Sequence, residues 1–152
     1  MTLLFVDGDA CPVKDEAYLV ASRYAVPVTV VANARIYVPR DLGVELILVE
    51  AGPDAADDWI AAQVRPGDVV VTADLPLAAR CLKAGACVLG PDGRDFSEES
   101  IGDLLASREL KSALRGAGVA TGGPPPLGPR ERSRFLGKLD QLITRSLREQ
   151  RA

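Results

Sequence analysis

A three-layer α/β/α sandwich around a mostly parallel, five-stranded sheet, with a C-terminal helical extension, is the fold that this sequence predicts. Five short runs rich in Val, Ile and Leu are apolar nearly throughout, as strands buried on both faces must be. Helical periodicity marks the segments between most of them. Acidic residues gather at or just beyond the ends of those runs: Asp7 and Asp9 after LLFV, Asp54 with Asp57 and Asp58 after ELILV, and Asp74 after VVVTA. In a doubly wound sheet those strand ends converge on one crevice, so carboxylates gathered there read as a divalent-metal site.

The elements follow in order. LLFVD is the first strand; Gly8 permits a tight turn after it, and Pro12 suits the first position of the helix VKDEAYLVASRYA. VTVVAN is the second strand. A connection through Arg35 to Gly43 leads to the third, VELILVE, and then to the helix AADDWIAAQV. DVVVTA, the helix PLAARCLKAG ending at Gly85, and the strand ACVLG complete the alternation. Right-handed crossovers make such an order a parallel sheet covered on both faces. GPDGRDFS reads as a turn region and Glu98 to Gly116 as a helix. The Gly and Pro residues of GAGVATGGPPPLGP leave too few backbone donors for regular structure. Residues 1–152 therefore read as a single domain, with a Gly/Pro-rich loop over 116–129 and a basic amphipathic helix over 130–151.

Composition excludes several function classes. An apolar content of 47% is too high for a disordered chain, and no apolar run approaches the ~20 residues of a membrane helix. Asp7 comes too early for a secretory signal, so a cytoplasmic protein without a membrane partner is expected. Cys11, Cys81 and Cys87 are odd in number and lack CxxC spacing, which indicates neither a disulfide framework nor a thiolate zinc site. Histidine is absent. Ser-His, Cys-His and His-metal chemistry are thereby removed, leaving carboxylates as the catalytic groups.

Charge is divided along the chain. Residues 1 to 100 carry 8 Lys and Arg against 16 Asp and Glu, a net of −8, whereas residues 101 to 152 carry 10 against 5, a net of +5. In the final segment Phe135, Leu136, Leu139, Leu142, Ile143 and Leu147 form an apolar stripe at helical spacing. Arg130, Arg134, Lys138, Arg145 and Arg148 fall on the opposite side, a row of cations facing solvent or a polyanion.

Among the acids, DGDACPV is the most specific arrangement. Capping a helix would account for Asp9 but not for Asp7, an acid at the end of a buried strand, which is costly there unless paired or bound to a cation. Asp54, Asp57 and Asp58 suit a helix N-terminus, where capping and the macrodipole explain two of the three; Asp57 and Asp58 both remain candidate ligands. Asp74 would cap the following helix, with Thr72 two residues before it. Hard ions such as Mg²⁺ take a few carboxylates plus waters and phosphate oxygens, a donor set suited to in-line phosphodiester displacement. Lys14, Arg35, Arg80 and Arg108 are candidate phosphate contacts, and Asn33 and Thr72 candidate substrate contacts. Cys11 reads as a packed or turn-lining thiol.

The motifs DGDACPVK, VVAN, ADDWI, GDVVVTADLPLA, GVATGGPPPL and RFLGKLD resemble the YaiI/YqxD family of uncharacterised bacterial proteins over essentially the whole chain. That family is grouped with PIN-like and NYN-like nucleases, and the resemblance implies their Mg²⁺- or Mn²⁺-dependent cleavage of RNA. It implies ligands at Asp7, at Asp57 or Asp58, and at Asp74, with Asp9 an additional acid. The candidate catalytic set is Asp7, Asp58 and Asp74; the candidate ligands are Asp7, Asp9, Asp57, Asp58 and Asp74. Nucleic acid, RNA foremost, would lie along Lys14, Asn33, Arg35, Thr72, Arg108, Arg130, Arg134 and Lys138. The basic C-terminal segment departs from a minimal PIN domain. A second reading is a haloacid-dehalogenase-like phosphatase with Asp7 as nucleophile and Asp9 as general acid. A third is a non-catalytic RNA-binding or ribosome-associated module.

Overall fold

The computed structural model describes residues 1–50, 52, 54–116 and 127–151, with backbone alone for residues 10, 108–116 and 151. Each apolar run forms a strand: β1 (Leu4–Asp7), β2 (Val28–Ala32), β3 (Val44–Leu48), β4 (Val69–Val71) and β5 (Cys87–Leu89). The turn region after β5 contains a sixth strand, β6 (Asp95–Phe96), so the sheet has six strands where the sequence predicts five. Helices are α1 (Lys14–Arg23), α2 (Ala55–Gln63), α3 (Leu75–Lys83), α4 (Glu98–Gly116) and α5 (Pro129–Arg151). The strand order is β3-β2-β1-β4-β5-β6, with all pairs parallel except the short β5–β6 hairpin.

Alternation along the strands feeds two cores. Leu4, Val6, Val28, Val30, Val69 and Val71 pack with α1 and α5, whereas Phe5, Val31, Val70 and Val88 pack with α2, α3 and α4. Central strands are thus apolar on both sides. β3 is not: it is an edge strand on which Glu45 and Leu48 are exposed, contrary to the two-sided burial expected of it.

α1 begins at Lys14, after a 3-10 turn over Gly8–Ala10, and not at Pro12 as the proline suggests. Pro12 instead offers its carbonyl to Arg132 on α5, at 2.9 Å.

The basic helix is integral to the core. Phe135, Leu139, Leu142 and Ile143 are buried in the cluster that includes α1, each worth about 1.5–3 kcal/mol of transfer free energy. At its N-terminal end Arg132 also bonds Glu16 at 3.0 Å, and Gly93, before β6, lies against Arg134 and Phe135. At its C-terminal end the buried Ser146 hydroxyl meets Thr2 at 2.9 Å and Gly67 O, and Gln150 reaches Thr2 at 2.8 Å. α5 therefore runs the height of the sheet, its first turn near the strand C-termini and its last near their N-termini. Two members of the predicted cation row are engaged, Lys138 with Asp95 at 3.8 Å and Arg145 with the Cys87 sulfur at 3.4 Å; Arg130, Arg134 and Arg148 are exposed. The central part of the predicted Gly/Pro loop, 117–126, and the Arg108 side chain lie outside the described residues. Among the described residues no helix is long and apolar enough to cross a membrane.

Candidate functional site

Strand order reverses between β1 and β4: from β1 the chain winds to β2 and β3, then returns to β4 on the other side. The C-terminal ends of those two neighbours must diverge there, and the crevice that opens is where an α/β sheet binds ligands. Asp7 is the last residue of β1; Thr72, Ala73 and Asp74 follow β4. With Cys11 and Pro91 they line a cleft of about 140 Å³.

Thr72 organises this mouth. It is 1% exposed, and its hydroxyl donates to Asp7 Oδ2 at 2.9 Å while accepting the Asp74 N–H at 3.0 Å. Its position is that of a clamp between the two acids, with its hydroxyl already committed, and not that of a free substrate contact. Asp74 Oδ1 in turn accepts Leu77 N–H at 3.0 Å, so the acid is fixed as the cap of α3.

Asp57, on the first turn of α2, belongs to the same electrostatic field. Burial, then the charges of Asp74, Asp7 and Asp54, push its carboxyl up to about 6, with Arg80 opposing. Asp7 is raised chiefly by burial, against which the Thr72 hydrogen bond works, and further by Asp74 and Asp9. Asp58, one position along the helix, is exposed and salt-bridged to Arg80 of α3 at 2.8 Å. The structure therefore distinguishes the two acids differently from the candidate catalytic set, which names Asp58: Asp57 feels the charges of Asp7 and Asp74, while Asp58 joins α2 to α3 at the surface.

Asp9 also points elsewhere. Its Oδ1 accepts the Asn33 N–H at 2.9 Å, which ties the loop after β1 to the end of β2 and engages Asn33 through its backbone. Gly8 is required there by close approach: an added Cβ would lie 2.7 Å from Val30 Cγ1 and 3.1 Å from Val31 O. Lys14 turns inward, its ammonium donating to Gly8 O at 3.2 Å and Cys11 O at 3.0 Å, so it holds the loop. Cys11 is buried, and burial first of all raises its thiol above the usual range, the reverse of an activated nucleophile. Arg35 is exposed, and Arg134 sits at Gly93, two residues beyond the cleft-lining Pro91. Pro91 carries no signal in the sequence; only the β5–β6 hairpin brings it to the cleft.

No group of three or more acidic or cysteine side chains among the described residues is arranged to hold a metal ion as it stands. Of the five candidate ligands, Asp9 accepts the Asn33 amide and Asp58 pairs with Arg80. Asp7 and Asp74 line the cleft as hard oxygen donors, and Asp57 lies close enough for both of their charges to raise its carboxyl. This chemistry fits a largely hydrated Mg²⁺ or Mn²⁺, which needs only one or two carboxylates.

Burial, with the neighbouring charges, gives the Asp57 carboxyl a measurable pH dependence. A carboxyl whose folded pKa lies above the unfolded value of 3.8 binds protons more tightly in the folded state, so its stabilisation is full below 3.8 and is lost as pH rises through about 6. Asp57→Asn is accordingly expected to stabilise the metal-free protein at neutral pH by about 1 kcal/mol, after allowance for solvent screening, and to change little at pH below 3.8. Urea unfolding in EDTA at the two pH values checks it; equal shifts at both would show that folding does not raise the Asp57 carboxyl.

A family profile described as "Uncharacterized BCR, YaiI/YqxD family" matches residues 5–145. A UPF0178 protein of Bradyrhizobium diazoefficiens is 59% identical over 144 residues, 95% of this chain and 86% of the relative. One from Rhodopseudomonas palustris is 53% identical over 152 residues, 100% of this chain and 96% of the relative. A third, from Paramagnetospirillum magneticum, is 51% identical over 148 residues, 97% of this chain and 98% of the relative. No solved structure matches the chain. With the profile covering β1 to most of α5 and relatives matching nearly end to end, the chain belongs to the YaiI/YqxD family.

Proposed function

We propose that the protein is a divalent-metal-dependent nuclease that hydrolyses phosphodiester bonds of RNA at the β1/β4 crevice. The observation that carries this is the convergence of Asp7 and Asp74, bridged by Thr72, on the β1/β4 cleft, with the Asp74 charge raising the carboxyls of both Asp7 and Asp57. Such an arrangement costs stability and is characteristic of functional sites. A PIN-like or NYN-like placement and a three-layer α/β/α arrangement belong to the same reading; the two cores fed by alternate residues of the strands support it.

In this reading Asp7 and Asp74 would hold Mg²⁺ or Mn²⁺, with the Asp57 charge nearby, and the chemistry supplied there would be polarisation of a phosphoryl oxygen and a lowered pKa of a water. Thr72 keeps the Asp7 and Asp74 ends of the two strands in register, and the Leu77 amide fixes the Asp74 rotamer. Arg134, beside the hairpin that carries Pro91, and Arg130, one helical turn earlier, supply cations for the substrate backbone. The phosphatase reading is disfavoured because Asp9, its general acid, already accepts the Asn33 amide.

Cleavage of labelled single-stranded and structured RNA, with Mn²⁺, Mg²⁺ or EDTA, tests the proposal. Wild type is expected to cleave only with metal. Asp57→Asn should reduce cleavage at least about a hundredfold, the scale of losing one preorganised electrostatic group. Asp58→Asn, which breaks only an exposed ion pair worth ~1 kcal/mol or less, should stay within about threefold. Absence of cleavage in every condition, with salt-sensitive RNA retention by all three proteins, would instead identify a binding module.

A further inference from the structure

We infer that Tyr37, with Arg35 and Arg40 beside it, is a base-stacking platform that makes single-stranded nucleic acid the substrate class of the acidic crevice. The inference rests on the nuclease reading for its link to the crevice, but the platform itself is argued from the surface alone.

Tyr37 is 85% exposed. Isolated apolar residues on a surface need no explanation, but this one is not isolated. Of the five exposed large hydrophobic residues among those described, three, Leu19, Tyr37 and Leu42, border a single groove of about 450 Å³ that Lys14 also lines. On its other side Tyr37 borders a second depression of about 520 Å³, whose rim carries Arg35 and Arg40. Neither guanidinium has an ion-pair or hydrogen-bond partner among the described residues. Asp15 and Asp41 also border these depressions, and the Lys14 ammonium is held by Gly8 O and Cys11 O, so Arg35 and Arg40 are the cations that the open ring has beside it.

Position joins this ring to the crevice. The segment bearing Tyr37 starts at Asn33, whose amide is held by Asp9, and four residues span at most ~14 Å. Lys14, which lines the first groove, holds the carbonyls of Gly8 and Cys11 in the loop that follows Asp7. One groove wall therefore carries both the ring and the lysine that holds the loop after Asp7.

An aromatic face flanked by guanidinium groups suits an unpaired base, which offers its π-face whatever its identity, and a phosphate on either side. In a duplex those faces are stacked on one another and out of reach. The platform thus selects single strands without reading sequence.

Fluorescence anisotropy of a short labelled oligouridine and of a duplex, both in EDTA so that nothing is cleaved, tests the assignment. Wild type should prefer the single strand. Tyr37→Ala should weaken single-strand binding about tenfold and leave duplex binding unchanged, whereas Tyr37→Phe, which keeps the ring, should stay within about twofold. Because the side chain is so exposed, circular dichroism should be unchanged in both variants. Unaltered single-strand affinity of Tyr37→Ala, or no binding by wild type, would overturn the platform. So would unaltered affinity together with a change in sedimentation on mutating Tyr37, which would make the face a contact between protein chains. The two readings fail separately: Tyr37-dependent binding without metal-dependent cleavage would keep the platform and remove the nuclease, and cleavage without Tyr37-dependent binding would do the opposite.

Discussion

Asp7→Asn is expected to abolish metal-dependent cleavage, by at least about a hundredfold, while leaving the protein as stable as wild type or more so at neutral pH. The two effects have one cause. Asp7 ends a buried strand, and burial together with the Asp74 and Asp9 charges raises its carboxyl despite the hydrogen bond from Thr72. A raised folded pKa means that the ionised form works against folding once pH exceeds it, so a neutral isostere relieves that cost. Asn retains an oxygen that accepts the Thr72 hydroxyl, and the register between β1 and β4 is kept. Function and stability are opposed at this position, as they are where charge is gathered for a ligand. Thermal unfolding in EDTA beside a cleavage assay separates the two effects. A variant that loses activity because it unfolds would contradict the account.

The second large effect is expected where the β5–β6 hairpin meets α5. Gly93 has φ +88°, and a Cβ there would lie 2.7 Å from Arg134 Cγ, 2.9 Å from Phe135 N and 3.0 Å from the Arg134 carbonyl carbon. Two of those three atoms are helix backbone, which a rotamer change cannot move. Gly93→Ala must therefore displace the first turns of α5 or distort the β5–β6 hairpin, with roughly 3 kcal/mol lost and a fall in Tm of roughly 6–12 °C. Gly137, in the same helix, has open space around its Cα; Gly137→Ala should stabilise by about 0.5–1 kcal/mol through helix propensity alone. Differential scanning calorimetry of the pair distinguishes a specific docking contact from a general intolerance of α5 to change. If Gly93→Ala unfolded like wild type, α5 would not be seated as described.

The order of strands and helices is legible because parallel strands covered on both faces must be continuous apolar runs, and five such runs stand out from the sequence. β6 is not legible. Its two residues, Asp95 and Phe96, pair with β5 only because the chain reverses through Gly90 and Arg94, whose backbones bond at 2.8 Å. The edge position of β3 follows from strand order, which no single run displays.

At the site, Asp7 and Asp74 are readable as a pair, since each follows a buried strand and the topology makes those strands neighbours. The choice between Asp57 and Asp58 depends on how α2 is rotated against α3 and on Arg80, contributed from 22 residues away. Asp9 is likewise decided by Asn33, 24 residues on, a partner that the motif DGDACPV does not contain. The apolar stripe of α5 is plain in the sequence, but its docking beside α1, and hence which cations are engaged, depends on Glu16 and Asp95 in distant segments.

Mn²⁺ binding followed by electron paramagnetic resonance at neutral pH tests the central claim most directly, since it reads the metal site without assuming a substrate. Saturable binding by wild type and by Asp58→Asn, lost in Asp7→Asn and Asp57→Asn, is the predicted result; equal binding by all four proteins, or none by wild type, would contradict it.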